Sequence, residues 1–156
     1  MRMADFADAP CSIARPAALL GDGWTLLVLR QAFLGQRRFD EMQSALDVSR
    51  ALLADRLHKL VEAGILRREP YQDGGRTREQ YRLTDRGLDL YPVLMALRTW
   101  ADRHQSPDGP FVVHRHDACG ALTEVVHRCT GCGEELTARD VRPEPGPGLL
   151  ALGATA

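Results

Sequence analysis

Three of the four cysteines lie within fourteen residues, Cys119 to Cys132, and His116 stands three residues before the first. His116-Asp117-Ala118-Cys119-Gly120 is followed by Cys129-Thr130-Gly131-Cys132-Gly133. Each half reads ligand-x-x-Cys-Gly, and Leu-Thr follows each (Leu122-Thr123, Leu136-Thr137). Zn²⁺ takes four N or S ligands in a tetrahedron, and two tight turns can each present two of them. A Gly after the second ligand suits a turn with positive φ. Four protein ligands close the coordination shell, so His116, Cys119, Cys129 and Cys132 predict a structural zinc site rather than a catalytic one. His114, two residues upstream, is an alternative to His116, and His127 is a poorer candidate. The competing reading is a metal-free hairpin with buried thiols. For a segment of roughly 35 residues, bound metal supplies stability that so small a core cannot.

Cys11 stands apart, in DAPCSIARP. A thiol at a helix N-terminus with Arg15 one turn on has a lowered pKa and more thiolate. A helix starting only at Pro16 would leave Cys11 beyond the dipole's reach, and Asp5 and Asp8 oppose the shift. Cys11 is therefore a candidate redox sensor, weighed against an idle thiol. No Gly-rich phosphate loop, nucleophile elbow or paired-carboxylate arrangement occurs, so an enzyme is not expected.

The 156 residues allow one full domain and a small appendage. Apolar residues make up 44% and charged ones 26%, as in a globular domain. No apolar run is long enough to span a membrane, and MRMADFADAP lacks a secretory h-region. A cytoplasmic location follows as the expectation, in which clustered cysteines read as metal ligands rather than disulfides. Net charge is only −1, but it is unevenly spread. From Val48 to Arg86 nine basic residues face six acidic ones, a balance of +3; from Ser106 onward four Arg face seven acids, a balance of −3. The basic segment is where a phosphate-binding surface is expected.

The elements that would position these groups can be read from periodicity. WTLLVLRQAFL, Trp24 to Leu34, reads as a buried helix between Gly23 and Gly35. FDEMQSAL, Phe39 to Leu46, is a short amphipathic helix, and Asp47-Val48 makes a break. Ser49 is a natural N-cap for a helix to Ala63 that Gly64 ends. Leu53, Leu57, Leu60 and Val61 line its inner face. Ile65 to Tyr71 and Glu79 to Thr84 predict two strands, joined by a loop longer than a tight turn with Arg76 and Arg78 at its tip. Thr84 then caps a long helix, Asp85 to His104, bent at Pro92. Trp24 and Trp100 read as core or dimer-interface aromatics. The expected divisions are a flexible N-terminus (1–10), a helical domain (11–105), a linker (106–110), a zinc-ribbon-like β extension (111–142) and a flexible tail (143–156).

Helix, short helix, turn, longer helix and basic hairpin is the order of a winged helix-turn-helix. The fold class is thus mainly α with a small β-hairpin wing, plus a small zinc-ribbon-like β element. A helix fits the DNA major groove, and its N-terminus offers N–H groups to phosphate. Ser49 and Arg50 sit at that N-terminus. Ala51, Ala54, Asp55, His58 and Lys59 face outward, with Arg56 on the flank. Arg76 and Arg78 reach phosphate or the minor groove, and Arg38, beside Arg37, clamps the backbone ahead of the first helix of the pair.

Several strings in order, from Cys11 with Ala14-Arg15 through LLGDGWTLLVLRQAFLGQRRF, VSRALLADRLHKLVEAGILRREPY and YRLTDRGLDLYPVLMALRTWA, carry a resemblance. Over Cys11 to about His104 the chain resembles the HxlR-type winged helix-turn-helix regulators of bacteria and archaea. It departs from their pattern at Gly23, where Lys or Arg is usual, and in the wing, Arg78-Glu79-Gln80-Tyr81. The resemblance implies a homodimeric, DNA-binding transcription regulator, paired through its terminal helices and acting on operator half-sites. Relatives with a Cys at the place of Cys11 are often thiol-based sensors, so the resemblance adds a thiol- or signal-responsive role, with the small-molecule inducer unknown. The alternative reading is a zinc-ribbon interaction module or thiol sensor whose helical domain serves mainly as a dimerisation scaffold.

Overall fold

The computed structural model describes residues 6–153. Its elements are α1 (Ala14–Leu20), α2 (Gly23–Phe33), α3 (Phe39–Leu46), α4 (Arg50–Glu62), β1 (Leu66–Asp73), β2 (Arg76–Leu83), α5 (Asp85–Leu88), α6 (Tyr91–His104) and α7 (Pro147–Gly153). They form two compact units, one running to Leu94 and one beginning at Met95. The division falls inside α6. No helix among the described residues is long and apolar enough to cross a membrane.

In the first unit, local capping sets where each helix begins. The Asp22 carboxylate accepts from Trp24 N–H at 2.8 Å and starts α2; Ser49 Oγ accepts from Leu52 N–H at 3.3 Å and starts α4. Between α3 and α4 the chain reverses at Asp47, which adopts φ 49°, a conformation short polar side chains tolerate. Gln43 Nε2 donates to Val48 O at 3.2 Å and holds this turn closed. The core follows from the apolar spacing: Val28 and Leu29 of α2, Met42 of α3, and Leu53, Leu57 and Leu60 of α4 are buried with Ile65 and Leu66.

The hairpin departs from the expected strand ends. β1 and β2 pair antiparallel from Leu66↔Leu83 to Asp73↔Arg76, leaving a two-residue turn at Gly74 (φ 55°) and Gly75 (φ 80°). Positive φ at both central residues gives a turn whose twist matches the strands, so the ladder continues to its tip. Arg78 consequently pairs with Tyr71 within the ladder, and Arg76 alone of the two adjoins the turn. Tyr81 N–H donates to Arg37 O at 2.8 Å, tying β2 to the segment before α3.

Thr84 joins the hairpin base to α5. Its Oγ1 donates to Gly64 O at 2.6 Å and accepts from Gly87 N–H at 3.1 Å. A Cβ on Gly87 would lie 2.2 Å from Ile65 O, so only glycine fits there without a shift. The expected Asp85–His104 helix is instead two helices. Pro92 is the second residue of α6, a first-turn position where a missing N–H costs little, and the break falls before it at Asp89-Leu90.

The second unit contains the later part of α6, two small hairpins closed by the isolated bridges Arg115↔Leu122 and Arg128↔Glu135, and α7. Within the expected flexible tail, α7 takes Pro147–Gly153, and residues 154–156 lie outside the described residues. Pro147 can open a helix and Leu149, Leu150 and Leu152 propagate it. Within the expected flexible N-terminus, residues 1–5 lie outside the described residues, and Ala9 N–H closes a turn onto Phe6 O at 3.1 Å.

Candidate nucleic-acid interface and candidate metal ligands

The burial of Leu53, Leu57 and Leu60 turns Ala51, Ala54, Asp55, His58 and Lys59 of α4 outward, as their spacing requires. Arg50, the first residue of α4, lies over the Phe39 ring at 4.7 Å and 4.0 Å from Asp40. Arg78 of β2 reaches the same Asp40 at 3.9 Å and Asp73 at 3.3 Å. The exposed carboxylate of Asp40 therefore gathers the start of α4 and the wing around one acid. No local sequence signal marks Asp40, because its two partners lie ten and thirty-eight residues away.

Arg38 stacks on Tyr71 at 4.7 Å and pairs with Glu41 at 3.7 Å. Glu41 accepts from the N–H groups of Arg38 (3.1 Å) and Arg37 (3.2 Å). Those two donors, Arg38 first, hold its carboxyl below the usual range. Lys59 pairs with Asp55 at 2.8 Å, and this bond is the main reason the Asp55 carboxyl is held low. His58 lies 3.2 Å from Glu62 along the same helix. Among the described residues Arg76 has no ion-pair partner.

Arg56 differs from the expected flank position. Its side chain is only 16% exposed, and it bridges Asp22 at the head of α2 to Asp55. Desolvated and doubly paired, this guanidinium fastens α4 to α2 and is not presented to a ligand. No local signal pairs Asp22 with Arg56, since the contact exists only once the helices pack.

Cys11 is exposed, and its Sγ accepts from Ala14 N–H at 3.4 Å. The helix begins at Ala14, ahead of Pro16, so the thiol lies within reach of the helix N-terminus. The N–H groups of Ala14 and Ile13 lower its pKa. Arg15 donates from Nε to Ala9 O at 2.9 Å.

The four expected metal ligands form two pairs. His116 Nδ1 lies 3.3 Å from Cys119 Sγ, and Cys132 hydrogen-bonds the Cys129 thiol. The N–H groups of Cys132 and Gly131 also point at Cys129 and hold its pKa down. Among the described residues no three His, Cys, Asp or Glu side chains converge to hold an ion. The pairs are formed, and they stand apart from each other. His114 is committed elsewhere, its Nδ1 facing Arg98 Nη1.

Residues 19–108 match the HxlR-like helix-turn-helix family. The chain belongs to that family. It is a transcriptional regulator and not an enzyme. It is 45% identical over 141 residues to an uncharacterized HTH-type transcriptional regulator of Mycobacterium tuberculosis strain H37Rv, covering 90% of this chain and 89% of that one. It is similar in structure to the crystallised protein PA1607 (TM-score 0.82, 36% identity, 91% of this chain and 99% of the other). A further solved relative is the reduced form of the transcriptional regulator YodB of Bacillus subtilis, with TM-score 0.54 and 29% identity over 62% of this chain and 96% of that one. Beyond the HxlR-like region, a continuous match of 141 of 156 residues takes in both pairs whichever end is left out.

Proposed function

We propose that this HxlR-like regulator binds operator DNA as a homodimer, with the exposed face of α4 in the major groove and the β1–β2 wing along the backbone. The observation that carries this reading is the Asp40 cluster. It holds Arg50, at the start of α4, and Arg78, on the wing, on one exposed acid. Two exposed arginines weakly held by a carboxylate at about 4 Å can exchange it for phosphate oxygens, which accept charge-assisted bonds in the same way. Arg76, Lys59 and Arg38 extend the basic surface, and Ser49 fixes the helix start that faces phosphate. Arg56 acts as a positioning residue within this reading. For pairing, α6 offers Val93, Leu97 and Trp100, which are 45%, 48% and 56% exposed. Apolar exposure of that kind suits a partner copy.

A dimer should recognise half-sites about 34 Å apart, one helical turn of DNA. The slope of log K against log salt should fall by about 0.9 for each phosphate contact removed. Titration of Arg76→Ala with Arg78→Ala on an operator fragment checks this, and an unchanged slope would remove the wing from the interface. Sedimentation at micromolar concentration should find a dimer, and a monomer would remove the two-half-site arrangement.

The placement of Cys11 favours a thiol-responsive switch on this DNA binding. YodB has been crystallised both reduced and after diamide treatment. In this chain an exposed thiol of lowered pKa, without another cysteine nearby in sequence, would couple to a partner subunit's thiol or a small thiol. The two thiols then yield two hydrogens to the diamide azo bond and join as a disulfide. Diamide should weaken operator binding by wild type but not by Cys11→Ser; equal responses would exclude Cys11 from regulation.

A further inference from the structure

The C-terminal unit is built on an internal duplication. Val113-His114-Arg115-His116-Asp117-Ala118-Cys119-Gly120 aligns without a gap on Val126-His127-Arg128-Cys129-Thr130-Gly131-Cys132-Gly133, and five of the eight positions are identical. The backbone repeats as well. His116 N–H donates to Ala121 O at 2.9 Å where Cys129 N–H donates to Glu134 O at 2.8 Å. Gly120 N–H donates to His116 O at 2.7 Å where Gly133 N–H donates to Cys129 O at 2.9 Å. The two glycines take φ 70° and 78°, a turn conformation that side chains resist.

The duplication sorts the histidines. His116 and Cys129 are equivalent, and so are Cys119 and Cys132; each pair is in contact across its own turn. An N and an S ligand sharing one tetrahedral Zn²⁺ stand about 3.5 Å apart, given the usual Zn–N and Zn–S lengths. The 3.3 Å between His116 Nδ1 and Cys119 Sγ is close to that edge. His114 and His127 occupy the position two before, where their carbonyls accept from Thr123 and Leu136 N–H at 2.9 and 2.8 Å. The His114 ring is further taken up by Arg98, whose Nη2 also donates to Thr123 O at 3.1 Å.

We infer that residues 111–142 close around one Zn²⁺ held by His116 Nδ1 and the thiolates of Cys119, Cys129 and Cys132, one pair from each half of the duplication. A second observation demands some such tie: no residue from Met95 to Gly153 is buried, and Phe111 is 90% exposed. A segment without a core keeps a defined fold when metal binding supplies the free energy. Closure draws the separate pairs together and releases the thiol protons. The DNA-binding reading plays no part in this inference.

The full chain, purified without added zinc, should contain one Zn²⁺ per chain by plasma mass spectrometry. Cys119→Ser and Cys132→Ser should lose it, whereas His114→Ala and His127→Ala should keep it. After exchange to Co²⁺, the visible absorption should be that of a tetrahedral three-thiolate, one-imidazole site. His116→Cys guards against simple misfolding: it should still take up Co²⁺, with the spectrum moved to that of four thiolates. Absence of zinc together with no Co²⁺ uptake would overturn the inference. So would metal loss in His114→Ala, or an unmoved Co²⁺ spectrum in His116→Cys.

Discussion

Eight hydrophobic side chains between Val28 and Leu66 are buried against one another, whereas no residue from Met95 to Gly153 is buried at all. The first region derives its order from apolar area withdrawn from water, about 25 cal/mol per Å². That order is transmitted outward: burying one face of α4 fixes the direction of the other face. The second region has short backbone hydrogen bonds, turn glycines and paired His and Cys side chains, but no buried side chain among the described residues. In the zinc proposal its order comes from a few strong bonds at one point. The comparison teaches that a reading surface and an appended module in one short chain can depend on different chemistry. One should then fail in denaturant and the other in chelator.

Core truncation separates the two most strongly. Leu57 is fully buried in α4, and Leu57→Ala should destabilise the helical unit by about 2–5 kcal/mol, the usual cost of lost burial plus a cavity. Urea titration followed by far-ultraviolet circular dichroism measures this, and the metal content of the folded protein should stay at one per chain. Gly87→Ala should come next, at about 1–3 kcal/mol, because the new Cβ meets the Ile65 carbonyl and forces the hairpin base or α5 to move. A loss confined to the second region in either variant would break the proposed separation.

The smallest effect concerns acid. Glu41 has its folded pKa depressed by the N–H groups of Arg38 and Arg37. Its contribution is therefore complete above the unfolded carboxyl value and fades as pH falls through the lower folded value. Glu41→Gln should flatten the acid limb of the helical unit's stability curve while leaving its neutral-to-alkaline part parallel to wild type. A set of urea titrations across pH would show it, and an unaltered acid limb would mean the cap contributes nothing.

Much of the first region was legible in the sequence because its determinants are local or periodic. Ser49, Gly64 and the leucine spacing give α4 to within a residue, and FDEMQSAL gives α3. The hairpin was legible as a pair but not in its turn, since polar Thr77 and Arg78 suit either a loop or an exposed ladder. What selects the ladder is positive φ at both Gly74 and Gly75. Arg56 was misplaced because its environment is tertiary: only the packing of α2 on α4 brings Asp22 to it. The same holds for Asp40, which gains Arg50 and Arg78 from two other elements. In the second region, Pro and Gly content concealed α7, and the His and Cys spacing gave two pairs that do not converge among the described residues.

Hydrogen–deuterium exchange of the intact protein, with and without a zinc chelator, tests the contrast most directly. Amides of residues 111–142 should lose protection on chelation, while those of α2 through β1 should exchange at an unchanged rate. Protection in 111–142 that chelation leaves untouched, or a loss spread equally over both regions, would contradict the account.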